Sequence, residues 1–238
     1  MIKKLIHYCD VLCCWIHKFY WDFCALFGRV HGVVLMYHYI TNEIVDTRAG
    51  CMHKPEELET TILRLKKEGY NFVSIGEMLE IIGRKECKKF AVITFDDIRD
   101  DVFINAYPIL KKYNTPYTIF VSPKFVDCGD GITKVHLLEM DKDALCTVGA
   151  HGMTHCNLSK SKNLREEIEG SKLYLEKLLG HQIDYFAYPF GKHEHVSPEV
   201  KQLTKRIGFK CAFGTIDSPV SDISSKDLFY LPRKVLRG

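Results

Sequence analysis

The feature that most constrains the fold of this chain is a regular alternation of short apolar segments with longer segments of helical period. The apolar segments are rich in β-branched and aromatic residues, as at positions 33–37, 90–95 and 117–121. Segments with the apolar spacing of a helix occur between them, as at positions 101–113 and 164–179. Strands and helices that alternate at this spacing are typical of parallel βαβ units. The pattern therefore predicts an α/β fold.

The remaining predicted elements continue this alternation towards the end of the chain. Further strands are predicted at 71–75, 147–150, 185–188 and 209–214, and further helices at 54–69, 77–82, 141–146 and 198–207. About seven such units favour a closed barrel over an open sheet. No linker or change of composition divides residues 31–238, so we expect a distorted (β/α)7 barrel that forms a single domain.

Residues 1–30 show a different pattern, which predicts an additional N-terminal amphipathic helix. Its apolar stripe recurs at steps of three and four residues and consists of Leu5, Cys9, Leu12, Ile16, Phe19, Phe23 and Leu26. Charged residues such as Asp10 and Lys18 interrupt the segment, which argues against a secretory signal or a membrane span. Two interpretations remain open: the stripe packs on the barrel, or the helix lies in a membrane interface with Trp15 and Trp21.

The composition indicates which binding partners and which cellular compartment to expect. A formal net charge of +3 without a dense Lys/Arg tract argues against nucleic acid as a partner. The ten cysteines are scattered and form no pair of C-x-x-C units, which argues against a structural zinc site. Scattered cysteines without an evident signal peptide predict a cytoplasmic protein, with membrane association through the N-terminal helix as the alternative.

Two clusters of metal-binding residue types follow predicted strand ends. Asp96 and Asp97 leave a buried strand side by side, an arrangement that is costly unless a cation or proton compensates the charge. His151 and His155 follow another strand, and on one helical turn their spacing would put both imidazoles on one side. Each pair alone could be an ordinary solvated pair. Together, one Asp and two His predict a divalent metal site at the rim of the barrel.

A third cluster is the turn at residues 188–191, which follows another predicted strand. Pro189, Phe190 and Gly191 form a stiff turn whose backbone N–H groups can point into the rim and stabilise an oxyanion, although a simple strand-to-helix turn is the alternative. His193 and His195 lie just beyond it and either line the groove or are solvated loop residues.

From about residue 33 onwards the chain resembles the NodB-like polysaccharide deacetylases, carbohydrate esterase family four. Thr94-Phe95-Asp96-Asp97 is similar to the TFDD motif of that family, although Ile98 stands where Gly usually follows. Residues 151–155 resemble the H-[ST]-x-x-H motif, with Gly152 in place of the hydroxyl residue, and residues 188–191 match the YP[YF]G motif.

Two further segments resemble a branch of the family in which the order of the motifs is permuted. Val34-Leu35-Met36-Tyr37-His38 resembles the opening motif of that branch, which includes the poly-N-acetylglucosamine deacetylases. Leu231-Pro232-Arg233 resembles its Pro-Arg element near the end of the domain. These four motifs and the Pro-Arg element follow one another as in that branch, and the resemblance therefore predicts a polysaccharide deacetylase domain over residues 31–238.

The resemblance implies a role for each matching residue. The divalent metal, usually zinc in this family although other divalent ions substitute, would be held by Asp97, His151 and His155. Asp96 would be the general base for the attacking water, oriented and kept ionised by Arg233, and His38 would be the general acid for the departing amine. In the turn of Pro189, Phe190 and Gly191, the backbone N–H of Phe190 would contact the oxyanion.

The implied function is a metal-dependent hydrolase that removes N-acetyl groups from an amino sugar of a glycan or glycan precursor. One alternative is a deacetylase of another amide or of an O-acetyl ester. Another is a catalytically inactive relative that binds carbohydrate. The presence of Asp96, His38 and Arg233 argues against the inactive relative, since a binding module needs no base.

Overall fold

The computed structural model describes residues 31–43, 52–84, 88–221 and 224–235, so the predicted helix over residues 1–30 lies outside the described residues. The described strands are β1 (His31–Tyr37), β2 (Tyr39–Ile40), β3 (Met52–His53), β4 (Asn71–Phe72), β5 (Lys89–Phe95), β6 (Tyr117–Val121), β7 (Cys146–Ala150), β8 (Tyr185–Ala187), β9 (Cys211–Phe213) and β10 (Lys234–Val235). The described α-helices are α1 (Pro55–Lys67), α2 (Ile75–Arg84), α3 (Tyr107–Lys112), α4 (Lys134–Asp141), α5 (Ser171–Leu179) and α6 (Pro198–Ile207). Two π-helical turns, Val102–Ala106 and Glu166–Gly170, lead into α3 and α5.

The main sheet is parallel and follows the order β10-β1-β5-β6-β7-β8-β9, with β4 paired to β5. Strands β2 and β3 form a separate parallel pair. The C-terminal segment joins the two ends of the sheet, because Leu231 bridges to Phe213 of β9 while Lys234 in β10 pairs with Leu35 of β1. The α/β fold with a distorted (β/α)7 barrel is therefore confirmed.

The alternating sides of the strands bury two separate apolar layers. Ala91, Ile93 and Phe95 of β5 pack with residues of α1 in the layer between sheet and helices. Phe90 and Val92 belong to a second cluster with residues from β1, β6, β8 and β9, which places that cluster inside the barrel. Both faces of β5 are thus buried, as its uninterrupted apolar sequence predicts.

The predicted helix at residues 141–146 is wrong. The helix in this region is α4, which starts seven positions earlier and ends at Asp141. The hydroxyl of Thr133 caps it by accepting a hydrogen bond from the His136 N–H, and Leu137 and Met140 are buried beneath it. Residues 146–150 pair with β6 as a strand.

The predicted strand at residues 71–75 is too long. Pairing with β5 ends at Phe72, and Ile75 already begins α2. The cause is a pair of reciprocal hydrogen bonds: the Ser74 N–H donates to the Glu77 carboxylate and the Glu77 N–H donates to the Ser74 hydroxyl. This capping box starts a helix at a segment whose composition favours a strand.

No α-helix among the described residues has the length and apolar character needed to cross a membrane.

Candidate active site

Asp96 and Asp97 leave the carboxyl end of β5 at the rim of the barrel. Asp96 is buried, with 2% of its surface exposed, and its N–H donates to the Tyr37 carbonyl at 2.9 Å. Asp97 is partly exposed and has a φ angle of 48°, a left-handed conformation that few residues other than glycine adopt. The turn separates the two carboxylates, so that Asp96 contacts the barrel interior and Asp97 contacts the histidines at the rim.

Arg233 lies inside the barrel and holds Asp96 in a bidentate ion pair. Its side chain is fully buried, and two of its nitrogens donate to the two Asp96 oxygens at 2.6 Å each. Its Nε donates to the Gly214 carbonyl at 3.0 Å, and the guanidinium lies over the rings of Phe120 and Phe213. Burial alone would raise the pKa of Asp96, but the charge of Arg233 outweighs it and holds that pKa well below the usual range.

His151 directly follows β7 and is buried. Its Nδ1 donates to the Ala187 carbonyl at 2.7 Å, which leaves the lone pair on Nε2 available to a ligand. That Nε2 lies 3.7 Å from Asp97 Oδ1 and 3.9 Å from Asp96 Oδ2. Burial lowers the pKa of His151 despite the two nearby carboxylates, so the imidazole is kept in the neutral form that metals bind.

His155 lies in a loop rather than on a helix, so the helical explanation for its pairing with His151 is wrong. The loop turns through the left-handed residues Gly152, at a φ of 74°, and His155 itself, at 55°. This turn brings His155 Nε2 to 3.2 Å from Asp97 Oδ1 and its ring centroid to 4.9 Å from that of His151. The two imidazoles therefore still converge on Asp97, through backbone turns instead of helical periodicity.

Asp97, His151 and His155 fit a divalent metal. Each residue offers one ligand atom, and these atoms all lie within 4.8 Å of one another. Asp97 Oδ1 is buried and has no hydrogen-bond partner among the described residues. A buried carboxylate oxygen without a partner is costly, and a cation shared with two neutral imidazoles would compensate it.

The turn at residues 188–191 contacts the same rim. Thr215 donates its hydroxyl to the Phe190 carbonyl at 2.8 Å, and Tyr230 donates its hydroxyl to the Gly191 carbonyl at 3.0 Å. Phe190 has a φ of 62°, and its N–H makes no hydrogen bond with any described residue. The turn beginning at Pro189 thus carries a fixed backbone donor with the freedom to contact an oxyanion.

His38 lies between β1 and β2 and lines a cleft of about 720 Å³ together with Asp96, Asp97, His151, His155 and Phe190. The structure thus brings the expected acid, base and metal ligands to one cleft. Burial lowers the pKa of His38, whereas the charges of Asp96 and Asp97 oppose this effect.

The outer walls of the cleft contain residues that sequence reasoning missed. Phe125 and Arg99 line it, and Arg99 forms an ion pair with Asp130 while lying over the ring of Tyr39, at 4.6 Å from its centroid. These residues belong to no motif, and no spacing in the sequence distinguishes them. Ile98, which stands at the usual glycine position, is buried and packs in the outer core.

The two histidines beyond the turn are not among the residues that line the cleft. His193 is exposed and packs on Tyr230, with ring centroids 4.9 Å apart. His195 is half-buried and lies against the Phe190 ring, whose other neighbour is His155.

Comparisons with known proteins agree with this geometry. The family model described as polysaccharide deacetylase matches residues 83–212, more than half of the chain. The poly-β-1,6-N-acetyl-D-glucosamine N-deacetylase of Staphylococcus aureus is 29% identical over 193 residues. That match covers 74% of this chain and 65% of the relative, so the chain spans less than two thirds of its length.

Two solved structures share the fold over most of this chain. The deacetylase PplD of Streptococcus pyogenes, solved in complex with acetate, is 28% identical with a TM-score of 0.76, covering 86% of this chain and 92% of that one. A polysaccharide deacetylase from Bacillus cereus is 26% identical with a TM-score of 0.77, covering 88% and 66% of the two chains. With the matched family model and the motifs gathered at one cleft, the chain belongs to the polysaccharide deacetylase family.

Proposed function

We propose that this chain is a metal-dependent hydrolase that removes N-acetyl groups from an amino sugar of a glycan or glycan precursor. One observation carries the proposal. Three metal-ligand atoms within 4.8 Å of one another lie beside Asp96, a carboxylate that Arg233 holds ionised in the wall of the same cleft. The buried carboxylate of Asp96 requires a second buried charge, that of Arg233, and a module that only binds sugar would need neither.

A divalent ion held by Asp97, His151 and His155 would polarise an amide carbonyl and make a water molecule more acidic. We propose zinc as this ion, because two imidazoles and one carboxylate that leave a position open are a common zinc ligand set.

The protein groups around this centre supply the proton transfers. Asp96 accepts a proton from the attacking water, and Arg233 fixes its orientation through both carboxylate oxygens. The N–H of Phe190 donates a hydrogen bond to the oxyanion that forms as water adds to the carbonyl. His38, directly after the strand β1 that pairs with β5, donates a proton to the departing nitrogen, because an amine is a poor leaving group until it is protonated.

The substrate class follows from the family and the cleft. The Staphylococcus aureus relative is named for an N-acetylated glucosamine polymer, which supports an N-acetylated amino sugar as the substrate here. The open cleft suits part of a chain-like molecule, and its wall includes Phe190, of which half is exposed, beside the metal ligands. Aromatic faces of this kind pack against the apolar face of a sugar ring.

Acetate release from a panel of compounds tests this proposal. The panel contains oligomers of N-acetylglucosamine in two linkages, a nucleotide-linked N-acetyl sugar, a simple N-acetyl amide and an O-acetyl ester. Each is incubated with protein that has been stripped by a chelator and then supplied with zinc or with buffer alone. The Asp96→Asn variant is the test protein, and Asp184→Asn is its control, because Asp184 pairs with Lys210 outside the cleft.

We expect zinc-dependent acetate release from at least one amino sugar, its loss in Asp96→Asn and its retention in Asp184→Asn. Both variants are first checked for the native circular dichroism spectrum. Release only from the ester or the simple amide would assign the same chemistry to another substrate. Sugar binding without any release would identify a carbohydrate-binding relative and overturn the proposal.

A further inference from the structure

Glu167 is a buried carboxylate that the proposed mechanism does not use. It lies in the π-helical turn Glu166–Gly170, with 7% of its surface exposed, whereas its neighbour Glu166 is exposed to solvent. A glutamate is rarely this buried unless its oxygens are paired. The groups that pair with it therefore indicate why the carboxylate is there.

Both carboxylate oxygens and the main-chain carbonyl of Glu167 accept hydrogen bonds from the loop between the two metal-binding histidines. The Thr154 N–H donates to one carboxylate oxygen at 2.9 Å, and the Thr154 hydroxyl donates to the other at 2.7 Å. The Met153 N–H donates to the Glu167 main-chain carbonyl at 2.9 Å. Three hydrogen bonds thus connect this one glutamate to the two residues that directly precede His155.

The two histidines differ in how they are held. His151 continues β7: its N–H donates to the Val121 carbonyl, its carbonyl accepts from the Ser122 hydroxyl, and its Nδ1 donates to Ala187. His155 has a left-handed backbone in a loop and lies five residues beyond the end of β7. Such a conformation persists only where the surrounding structure holds it.

Apart from the bonds to Glu167, the main chain of the loop makes one more hydrogen bond with a described residue, in which the Lys124 N–H donates to the Met153 carbonyl at 3.1 Å. This bond and the one from the Thr154 N–H to Glu167 hold the two sides of the same peptide unit, Met153–Thr154. The Glu167 carboxylate also fixes the Thr154 side chain, which directly precedes His155. A carboxylate can accept from an N–H and an O–H at the same time, and hydrogen bonds to a charged acceptor are the stronger ones.

We propose that Glu167 is a positioning residue that holds His155 in the geometry for metal binding, by fixing Thr154 through both of its carboxylate oxygens. The inference rests on the proposed metal site but concerns a residue outside the ligand set. Removing a residue that orients a metal ligand without binding the metal itself typically weakens metal binding by about 10- to 100-fold.

Zinc affinity, measured by competition with a chromophoric chelator, tests the proposal without any substrate. We expect Glu167→Ala to bind zinc about 10- to 100-fold more weakly than the wild type. Glu167→Gln should stay near the wild-type affinity, since its amide oxygen can accept from the Thr154 N–H and its NH₂ can donate to the Thr154 hydroxyl. The matched control is Glu166→Ala, which removes an exposed carboxylate from the same turn.

Thr154→Val provides a milder test in case Glu167→Ala does not fold, because it removes one hydrogen bond and keeps the size of the side chain. Its zinc affinity should fall between those of the wild type and Glu167→Ala, whereas Thr154→Ser should match the wild type. Thermal unfolding of the zinc-free proteins separates loss of fold from loss of the site.

Failure of this inference differs from failure of the proposed function. A wild-type protein that binds no zinc would contradict the proposed metal site. A wild type that binds zinc, together with folded Glu167→Ala or Thr154→Val proteins of unchanged affinity, would overturn the role of Glu167 alone. Equal losses in Glu167→Ala and Glu167→Gln would also overturn it, because the glutamine can make both contacts.

Discussion

Replacing Arg233 with methionine would remove the guanidinium that contacts both oxygens of Asp96, while keeping an apolar side chain about as long as the aliphatic part of arginine inside the barrel. The lost contacts are the two 2.6 Å hydrogen bonds to Asp96 and the 3.0 Å bond to the Gly214 carbonyl. Asp96 would remain as a buried carboxylate without its cation. Breaking a buried ion pair on one side typically costs about 3–5 kcal/mol of unfolding free energy.

The double variant Arg233→Met with Asp96→Asn shows how much of this loss belongs to the pair. With the cation and the anion both gone, no buried charge is left unpaired, so the double variant should be more stable than the sum of the two single losses predicts. We expect a coupling free energy of about 2–3 kcal/mol between the two positions.

The pH dependence of the single variant has a definite sign. In the wild type the pKa of Asp96 is held below its ordinary value, so the pair stabilises the protein fully above about pH 4 and loses its contribution as the pH falls further. In Arg233→Met the effect of burial dominates and raises the pKa of Asp96. The variant therefore gains stability as the pH falls from 7 towards 4, and its deficit relative to the wild type narrows.

Urea unfolding followed by circular dichroism at pH 7.5 and pH 5 measures both quantities. We expect Arg233→Met to have a much smaller unfolding free energy than the wild type at pH 7.5 and a smaller deficit at pH 5, and we expect non-additive losses in the double variant. If the single losses add to within about 0.5 kcal/mol, or if the deficit widens at pH 5, the assignment of Arg233 as the charge partner of Asp96 is refuted.

Three further predictions concern other parts of the chain. Asp101 accepts a hydrogen bond from the Ile40 N–H, and burial raises its pKa to about 6. Because this folded pKa exceeds the unfolded value near 4, the protonated carboxyl favours folding below about pH 4, and its contribution to stability is lost as the pH rises to about 6. Asp101→Asn should therefore stabilise the protein at pH 7.5 by up to about 3 kcal/mol, measured by urea unfolding. His38→Ala should lower kcat on an N-acetyl substrate by about 10²–10⁴-fold with little change in KM. It should affect an acetyl ester less, because the nitrogen of an amide must be protonated before it can leave, whereas the oxygen of an ester leaves with less help from an acid. If residues 1–30 form a helix that lies in a membrane interface, the full chain should sediment with anionic vesicles and a chain that begins near residue 30 should not; if the stripe packs on the barrel instead, the shortened chain should become insoluble.

The barrel could be predicted from the sequence because its central strands are buried on both faces. A run such as Phe90 to Phe95 has no other stable place than the interior of a sheet covered by helices. The positions at which helices begin were harder to predict from the sequence. Ser74 and Glu77 form a capping box within a segment of strand-like composition, and the helix that begins at Lys134 carries only a weak apolar stripe.

The candidate site was predictable in its residue types and less so in its geometry. Asp97 lies two residues after β5 and His151 directly follows β7, so their meeting at one rim follows from parallel topology. The position of His155 depends on left-handed turns and on hydrogen bonds to Glu167, which lies in the acidic run Glu166-Glu167-Ile168-Glu169. Nothing in such a run shows which glutamate is buried, because the π-helical turn that rotates it inwards has no sequence signature of its own.

We propose that acetate release requires a metal held by Asp97, His151 and His155. The most direct measurement titrates zinc into chelator-stripped protein while acetate release from an N-acetylglucosamine oligomer is recorded. We expect activity to rise in proportion to added zinc and to reach its plateau at about one ion per chain, since the three ligand atoms form a single site. The double variant His151→Ala with His155→Ala should stay folded but remain inactive at every zinc concentration. Full activity in the stripped wild type, or recovery of activity in the double variant, would contradict the claim.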